Sequence, residues 1–122
     1  DLKIVVAVEN VWNKFLLSPM EFASYVDSFR SPWLKAYFDV GNIVLYGYPQ
    51  DWIRTLGKRI VRIHLKDFKR QGYQWTNLLD GDVNWPQVRK ALANELLFGR
   101  LVDGGRLTVD VAESTVDIDD TV

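Results

Sequence analysis

Ile60-Val61-Arg62-Ile63-His64-Leu65-Lys66-Asp67 is the stretch that decides the fold. Its first six residues are mostly apolar, half of them β-branched, and read as a strand of a parallel sheet. Side chains alternate across a strand, so Val61, Ile63 and Leu65 share one face and Arg62 and His64 the other. The first face is oily and suits burial under helices. The second is mixed and ends in a possible ligand. The same design recurs three times. Residues 34–39 place Leu34, Ala36 and Phe38 on one side and Lys35, Tyr37 and Asp39 on the other. Residues 4–9 oppose Ile4, Val6 and Val8 to Val5, Ala7 and Glu9, and residues 107–111 oppose Leu107, Val109 and Val111 to Thr108 and Asp110.

Helical segments lie between these strands. Ser18-Pro19-Met20-Glu21 reads as a helix start, with Ser18 as N-cap, Pro19 at the first helical position and Glu21 closing a capping box. Phe22, Tyr25, Val26 and Phe29 follow at helical spacing. Pro49 opens a second helix with Trp52, Ile53 and Leu56 on one face, and Gly57 ends it. Asn84 and Gln87 cap a third, whose stripe is Val88, Leu92 and Leu96. Residues 10–17, 41–48 and 66–82 read as loops. The order is βαβαβαβ, which predicts an α/β fold with right-handed crossovers. No glycine-rich phosphate fingerprint follows the first strand, so a dinucleotide-binding sheet is disfavoured. A segment of a (β/α)8 barrel fits better, and barrel active sites lie at the carboxyl ends of strands.

Glu9, Asp39, His64 and Asp110 therefore form the candidate site. Each ends the mixed face of its own strand with the same parity. Three carboxylates and one imidazole favour one divalent metal, Mn²⁺, Mg²⁺ or Co²⁺. A single strand-end aspartate more often caps the loop that follows, and a single histidine is often a satisfied core residue; four on successive strands are harder to explain that way.

Composition limits the alternatives. The 122 residues are 48% hydrophobic, with 15 basic and 16 acidic side chains and a net charge of −1. No positive excess is present to grip a phosphate backbone, so no nucleic-acid partner is expected. There is no cysteine, which removes disulfides and thiolate metal sites and is compatible with a cytoplasmic protein. No apolar run approaches the ~20 residues of a membrane span, and Asp1-Leu2-Lys3 does not open a signal peptide. Residues 113–122 carry four acids and no base, and a disordered acidic tail is expected over 112–122.

Four segments carry a family resemblance. Glu9-Asn10-Val11-Trp12-Asn13-Lys14-Phe15, Phe38-Asp39-Val40-Gly41-Asn42, Ile63-His64-Leu65-Lys66-Asp67 and Leu79-Asp80-Gly81-Asp82-Val83-Asn84-Trp85 resemble the sugar phosphate isomerase/epimerase family of xylose-isomerase-like TIM barrels. That family includes ribulose-phosphate and hexulose-phosphate epimerases or isomerases and ketose 3-epimerases. The resemblance implies the C-terminal half of a (β/α)8 TIM barrel over residues 1–111. It implies one divalent metal held by Glu, Asp, His and Glu. The first three fall on Glu9, Asp39 and His64. The fourth belongs to a Leu-Thr-x-Glu strand, which here reads Leu107-Thr108-Val109-Asp110.

The implied chemistry is proton transfer beside the carbonyl of a ketose or ketose phosphate, with Glu9 and Asp110 as the catalytic pair. Aspartate in place of glutamate shortens the reach by one methylene. A misplacement of ~1 Å can cost on the order of a hundredfold in rate, so with this aspartate and only half of the barrel, weak or absent isolated catalysis is expected. Glu113 is a second candidate, but with the opposite parity. By the same resemblance Asn42 and Arg70 contact the sugar. Lys66 and Lys69 are cations that could meet a phosphate, Trp12 either walls the pocket or packs, and Arg70 has a competing reading as a solvated loop charge.

Two other readings stay open. The apolar run starts almost at residue 1, which suggests a fragment of the full barrel. Such a piece would be a non-catalytic half-barrel that self-associates through its open edges, a homodimer or higher homo-oligomer with a remnant metal site. An apurinic-site endonuclease of related fold needs a multi-zinc cluster with several histidines, and the chain has one.

Overall fold

The computed structural model describes residues 2–97 and 108–111. The elements run β1 (Val6–Glu9), α1 (Pro19–Ser28), β2 (Leu34–Asp39), α2 (Val40–Ile43), α3 (Pro49–Leu56), β3 (Ile60–Leu65), β4 (Asp67–Lys69), β5 (Gln74–Thr76), α4 (Trp85–Leu92) and β6 (Thr108–Val111). A 3₁₀ turn, Gly57–Arg59, precedes β3, and a π turn, Ala93–Leu97, follows α4. The main sheet is ordered β1-β2-β3-β6, and each of its pairings is parallel. Strands taken in chain order around a parallel sheet, with helices between them, are the arrangement of a barrel sector.

The helices form where capping and periodicity place them. Ser18 Oγ accepts from the Glu21 amide while the Glu21 side chain accepts from the Ser18 amide, completing the capping box. Asn84 Oδ1 accepts from the Gln87 amide at the start of α4. Gly57 ends α3 at φ 46°, a conformation that a side chain disfavours. Phe22 and Val26 of α1, Trp52, Ile53 and Leu56 of α3, and Val88 of α4 are buried against Ala36, Phe38, Ile60 and Ile63 of the sheet. Tyr25 is half-buried and Phe29 is exposed, so the α1 stripe buries only its inner members.

Several expectations need correction. The first strand begins at Val6, not at Ile4, because β2 offers partners only from Val6↔Leu34 onward. Ile4, Val5 and Val6 are exposed, as befits the edge of a sheet. Strict alternation from Arg62 and His64 would put Ile60 on the mixed face, but it lies on the helix-covered one. Ala36 pairs with Ile60 while Tyr37 pairs with Arg62, so Val61 is an extra residue that reverses the alternation. Residues 41–48 are not wholly loop: Asp39 Oδ1 accepts from the Asn42 amide and starts α2. Within 66–82 lies a hairpin, with Phe68 opposite Trp75. The fourth strand is described from Thr108, and the tail expected over 112–122 lies outside the described residues. Among the described residues no helix is long and apolar enough to cross a membrane.

Asp67 fixes the hairpin and the entry to α4. It is buried and accepts from the amides of Phe68, Leu79 and Val83 and from Trp85 Nε1. Gly81 passes so close that a Cβ there would collide with this carboxylate. Asp67→Ala orphans four donors, each of which costs about 1–3 kcal/mol when buried and unpaired. Urea unfolding of the variant is expected to show a loss of about 3 kcal/mol or more. A loss below about 1 kcal/mol would show that water or neighbours replace the carboxylate.

Candidate metal centre

Three of the four candidate ligands converge. Glu9, Asp39 and His64 each offer a ligand atom, and these atoms lie within 4.8 Å of one another. His64 Nδ1 is 3.2 Å from Asp39 Oδ2 and 3.8 Å from Glu9 Oε1. The register explains the meeting: Asp39 lies opposite His64, and Glu9 lies opposite Tyr37, one inward step below Asp39. The His64 imidazole stacks on the Tyr37 ring at 6.2 Å. Asp110 is the strand partner of His64 on the other side; its side chain and Glu113 lie outside what the structure describes.

Asp39 is held rigidly. Asn10 is buried, donates from Nδ2 to Asp39 O at 2.8 Å and accepts at Oδ1 from the Asp39 amide at 2.7 Å. The side chain of Asn42 returns to Asn10 O at 2.8 Å. Asp39 Oδ1 is used on the Asn42 amide at 2.9 Å. Oδ2 is buried and accepts no aligned hydrogen bond, although Lys66 Nζ stands 3.0 Å away. The two observations agree if charge is close but the oxygen lone pair is not engaged. A buried anionic oxygen with an open lone pair, beside a second carboxylate and an imidazole, fits a hard or borderline divalent ion.

Burial holds the Glu9 carboxyl above the ordinary glutamate value of 4.5, and the charge of Asp39 pushes it the same way, against His64 and Lys66.

The remaining candidates divide. Asn42 and Lys66 border the group: Lys66 Nζ donates to Asn42 Oδ1 at 3.1 Å. Trp12 packs beside them, donating from Nε1 to Asn42 O at 2.7 Å and stacking on Trp75 at 5.1 Å. Arg70 is engaged with loop carbonyls, from Nε to Val44 O at 2.7 Å and from Nη2 to Gly47 O at 3.4 Å. Lys69 is exposed. Sequence reasoning missed Asn10 and Trp75. Asn10 follows Glu9 directly in the sequence, but a clamp on a backbone 29 residues away leaves no periodic trace.

The family model described as xylose isomerase-like TIM barrel matches residues 1–99. The chain belongs to that family. Three solved structures share the fold. A xylose isomerase domain protein from Planctomyces limnophilus has a TM-score of 0.68 at 21% identity, over 96% of this chain and 42% of that one. A D-tagatose 3-epimerase-like protein has a TM-score of 0.69 at 18% identity, over 97% and 44%. A probable 3-DHS dehydratase involved in petrobactin synthesis from Bacillus anthracis has a TM-score of 0.73 at 15% identity, over 95% and 45%. The chain thus spans less than half the length of these structures. Comparison with curated proteins gives no significant match.

The raised Glu9 group has a consequence for the metal-free protein. A carboxyl whose folded pKa exceeds its unfolded value binds its proton more tightly when folded. Stability therefore falls as pH rises from about 4.5 through the raised value. Glu9→Gln removes that slope, and the metal-free variant is expected to melt higher than wild type at pH 7. A lower melting temperature for the variant in EDTA would contradict the assignment.

Proposed function

We propose that this chain carries the centre of a metal-dependent sugar or sugar-phosphate isomerase or epimerase. The observation that supports it is the convergence of Glu9, Asp39 and His64 around a buried oxygen, Asp39 Oδ2, with no aligned hydrogen bond. A divalent ion held by these three residues would supply Lewis-acid stabilisation for negative charge developing on a sugar carbonyl oxygen. Asp39 is the rigid anchor, clamped through its backbone by Asn10. Glu9 takes the carbon-bound proton onto a carboxylate oxygen. Asp110, opposite His64 in the register, is assigned the return of a proton to the other face or to the neighbouring carbon. Asn42 and Lys66 offer hydrogen bonds to sugar or phosphate oxygens, and the rings of Trp12 and Trp75 wall that side. Arg70 acts on substrate only indirectly, through the loop it braces.

The test is exchange of carbon-bound hydrogen for deuterium in a panel of ketoses and ketose phosphates, followed by NMR with Mn²⁺ present. Exchange that EDTA abolishes, and that falls at least about a hundredfold in Glu9→Gln, is the expected result. Metal-independent exchange, or exchange that survives Glu9→Gln, would overturn the reading.

A second reading, a non-catalytic half-barrel that self-associates, is favoured by one observation. Leu2, Ile4 and Val6 with Trp33 line an apolar groove of about 560 Å³ at the β1 edge, and Val5 is exposed on the other face. Among the described residues no strand pairs with the outer edge of β1, and a parallel edge with apolar residues on both faces favours association. Sedimentation of the chain at micromolar concentration is expected to give a homodimer, and Val6→Lys to give a monomer. A wild-type monomer would remove this reading.

A further inference from the structure

Lys66 brings a cation to an oxygen that a metal would also use. Its ammonium lies 3.0 Å from Asp39 Oδ2, donates to Asn42 Oδ1 at 3.1 Å and sits 4.3 Å from the centre of the Trp75 ring. Two of these three contacts do not involve the carboxylate. The lysine therefore has reason to stay when Asp39 gives its free lone pair to another cation.

The place is built from several elements. Gly41 in α2 lets the lysine stem and the tryptophan settle onto the helix: a Cβ there would stand 2.7 Å from Lys66 Cβ and 3.0 Å from the Trp75 ring. Trp75 stacks on Trp12, whose indole nitrogen donates to Asn42 O. Asn42 is tied to Asn10 O. An ammonium over an indole face is stabilised by the ring quadrupole. The β4–β5 hairpin thus holds one positive charge beside a buried carboxylate.

Charge counting shows what that charge does. Glu9 and Asp39 bring two negative charges and Lys66 one positive. A divalent ion would take Glu9, Asp39 and Lys66 together from −1 to +1, and Asp110, whose side chain lies outside what the structure describes, would add one negative charge to either count where it joins the site. Without Lys66 each count would be one charge lower. The lysine therefore opposes the metal and leaves the loaded site one charge more attractive to an anion than it would be without the lysine.

We propose that Lys66 is a fixed positive charge that loosens the site's hold on a divalent ion and donates to an anionic oxygen of the substrate in the loaded site. The inference rests on the isomerase or epimerase reading and narrows it to substrates that carry or develop an anionic oxygen beside the metal. A lysine that only braced the fold would act in the opposite sense, because its removal would disorder Asp39 and weaken metal binding.

Calorimetric titration of the 122-residue chain with Mn²⁺, for wild type, Lys66→Gln, Lys66→Met and Lys66→Arg, separates the two. Lys66→Gln retains a donor for Asn42 Oδ1, and Lys66→Met removes both charge and donor. Both neutral variants are expected to bind Mn²⁺ at least about tenfold more tightly, the scale of repulsion between a single and a double charge a few ångströms apart in a watery dielectric. Lys66→Arg is expected to stay near wild type. Glycolate, whose adjacent hydroxyl and carboxylate mimic an anionic sugar fragment, is then titrated into the Mn²⁺-loaded proteins. Its affinity is expected to fall about tenfold in the neutral variants, as a lost charge-assisted hydrogen bond implies. Unchanged or weaker Mn²⁺ binding by both neutral variants, with a wild type that binds the ion, would overturn the proposal alone, as would unchanged glycolate binding. Absence of Mn²⁺ binding in every form would overturn the site reading itself and the lysine's role with it.

Discussion

Asp39 is fully buried, and a buried carboxylate must be matched by hydrogen bonds, by positive charge or by a proton. Its surroundings meet that demand in parts. One oxygen caps α2 through the Asn42 amide, and the residue's own amide and carbonyl are locked by Asn10. The other oxygen faces His64, Lys66 and Glu9. Most features of the site follow from this division. Asn42 and Asn10 are buried polar residues because they complete the clamp, and Lys66 is drawn in because the second oxygen carries charge without an aligned donor.

The sheet makes such an arrangement possible. Parallel strands in sequence order bring their carboxyl ends to one rim, and there the side chains of Glu9, Asp39 and His64 reach the same space. The outer faces of β2 and β3 lie under α1, α3 and α4, which supply the core. The loops at the rim are fastened by polar residues instead: Asp67 gathers the hairpin and the start of α4, and Arg70 ties the hairpin to the carbonyls of Val44 and Gly47.

Strand parity made much of this legible beforehand. An oily outer face and a ligand-type residue at each inner end can be read from Leu34-Lys35-Ala36-Tyr37-Phe38-Asp39 without coordinates, because alternation is a local property of the chain. Capping signals at Ser18, Pro19 and Asn84 were legible for the same reason. The misreadings share the opposite character. The bulge that turns Ile60 toward the helices depends on a register set between two strands. The hairpin within 66–82 depends on Phe68 meeting Trp75, and two three-residue strands give too few positions for alternation to show. Asn10 and Trp75 act through partners far away in sequence. The exposure of Ile4 and Val6 follows from the lack of a described strand beyond β1, which hydrophobicity cannot report.

The central claim is that Glu9, Asp39 and His64 hold one divalent ion. Anomalous diffraction from crystals soaked in Mn²⁺ measures this most directly. The account predicts an anomalous peak within about 2.0–2.6 Å of ligand atoms from all three residues, with Lys66 still beside Asn42 and Trp75. A peak bound elsewhere, or Asp39 closed onto Lys66 with no ion near His64 at saturating Mn²⁺, would contradict it.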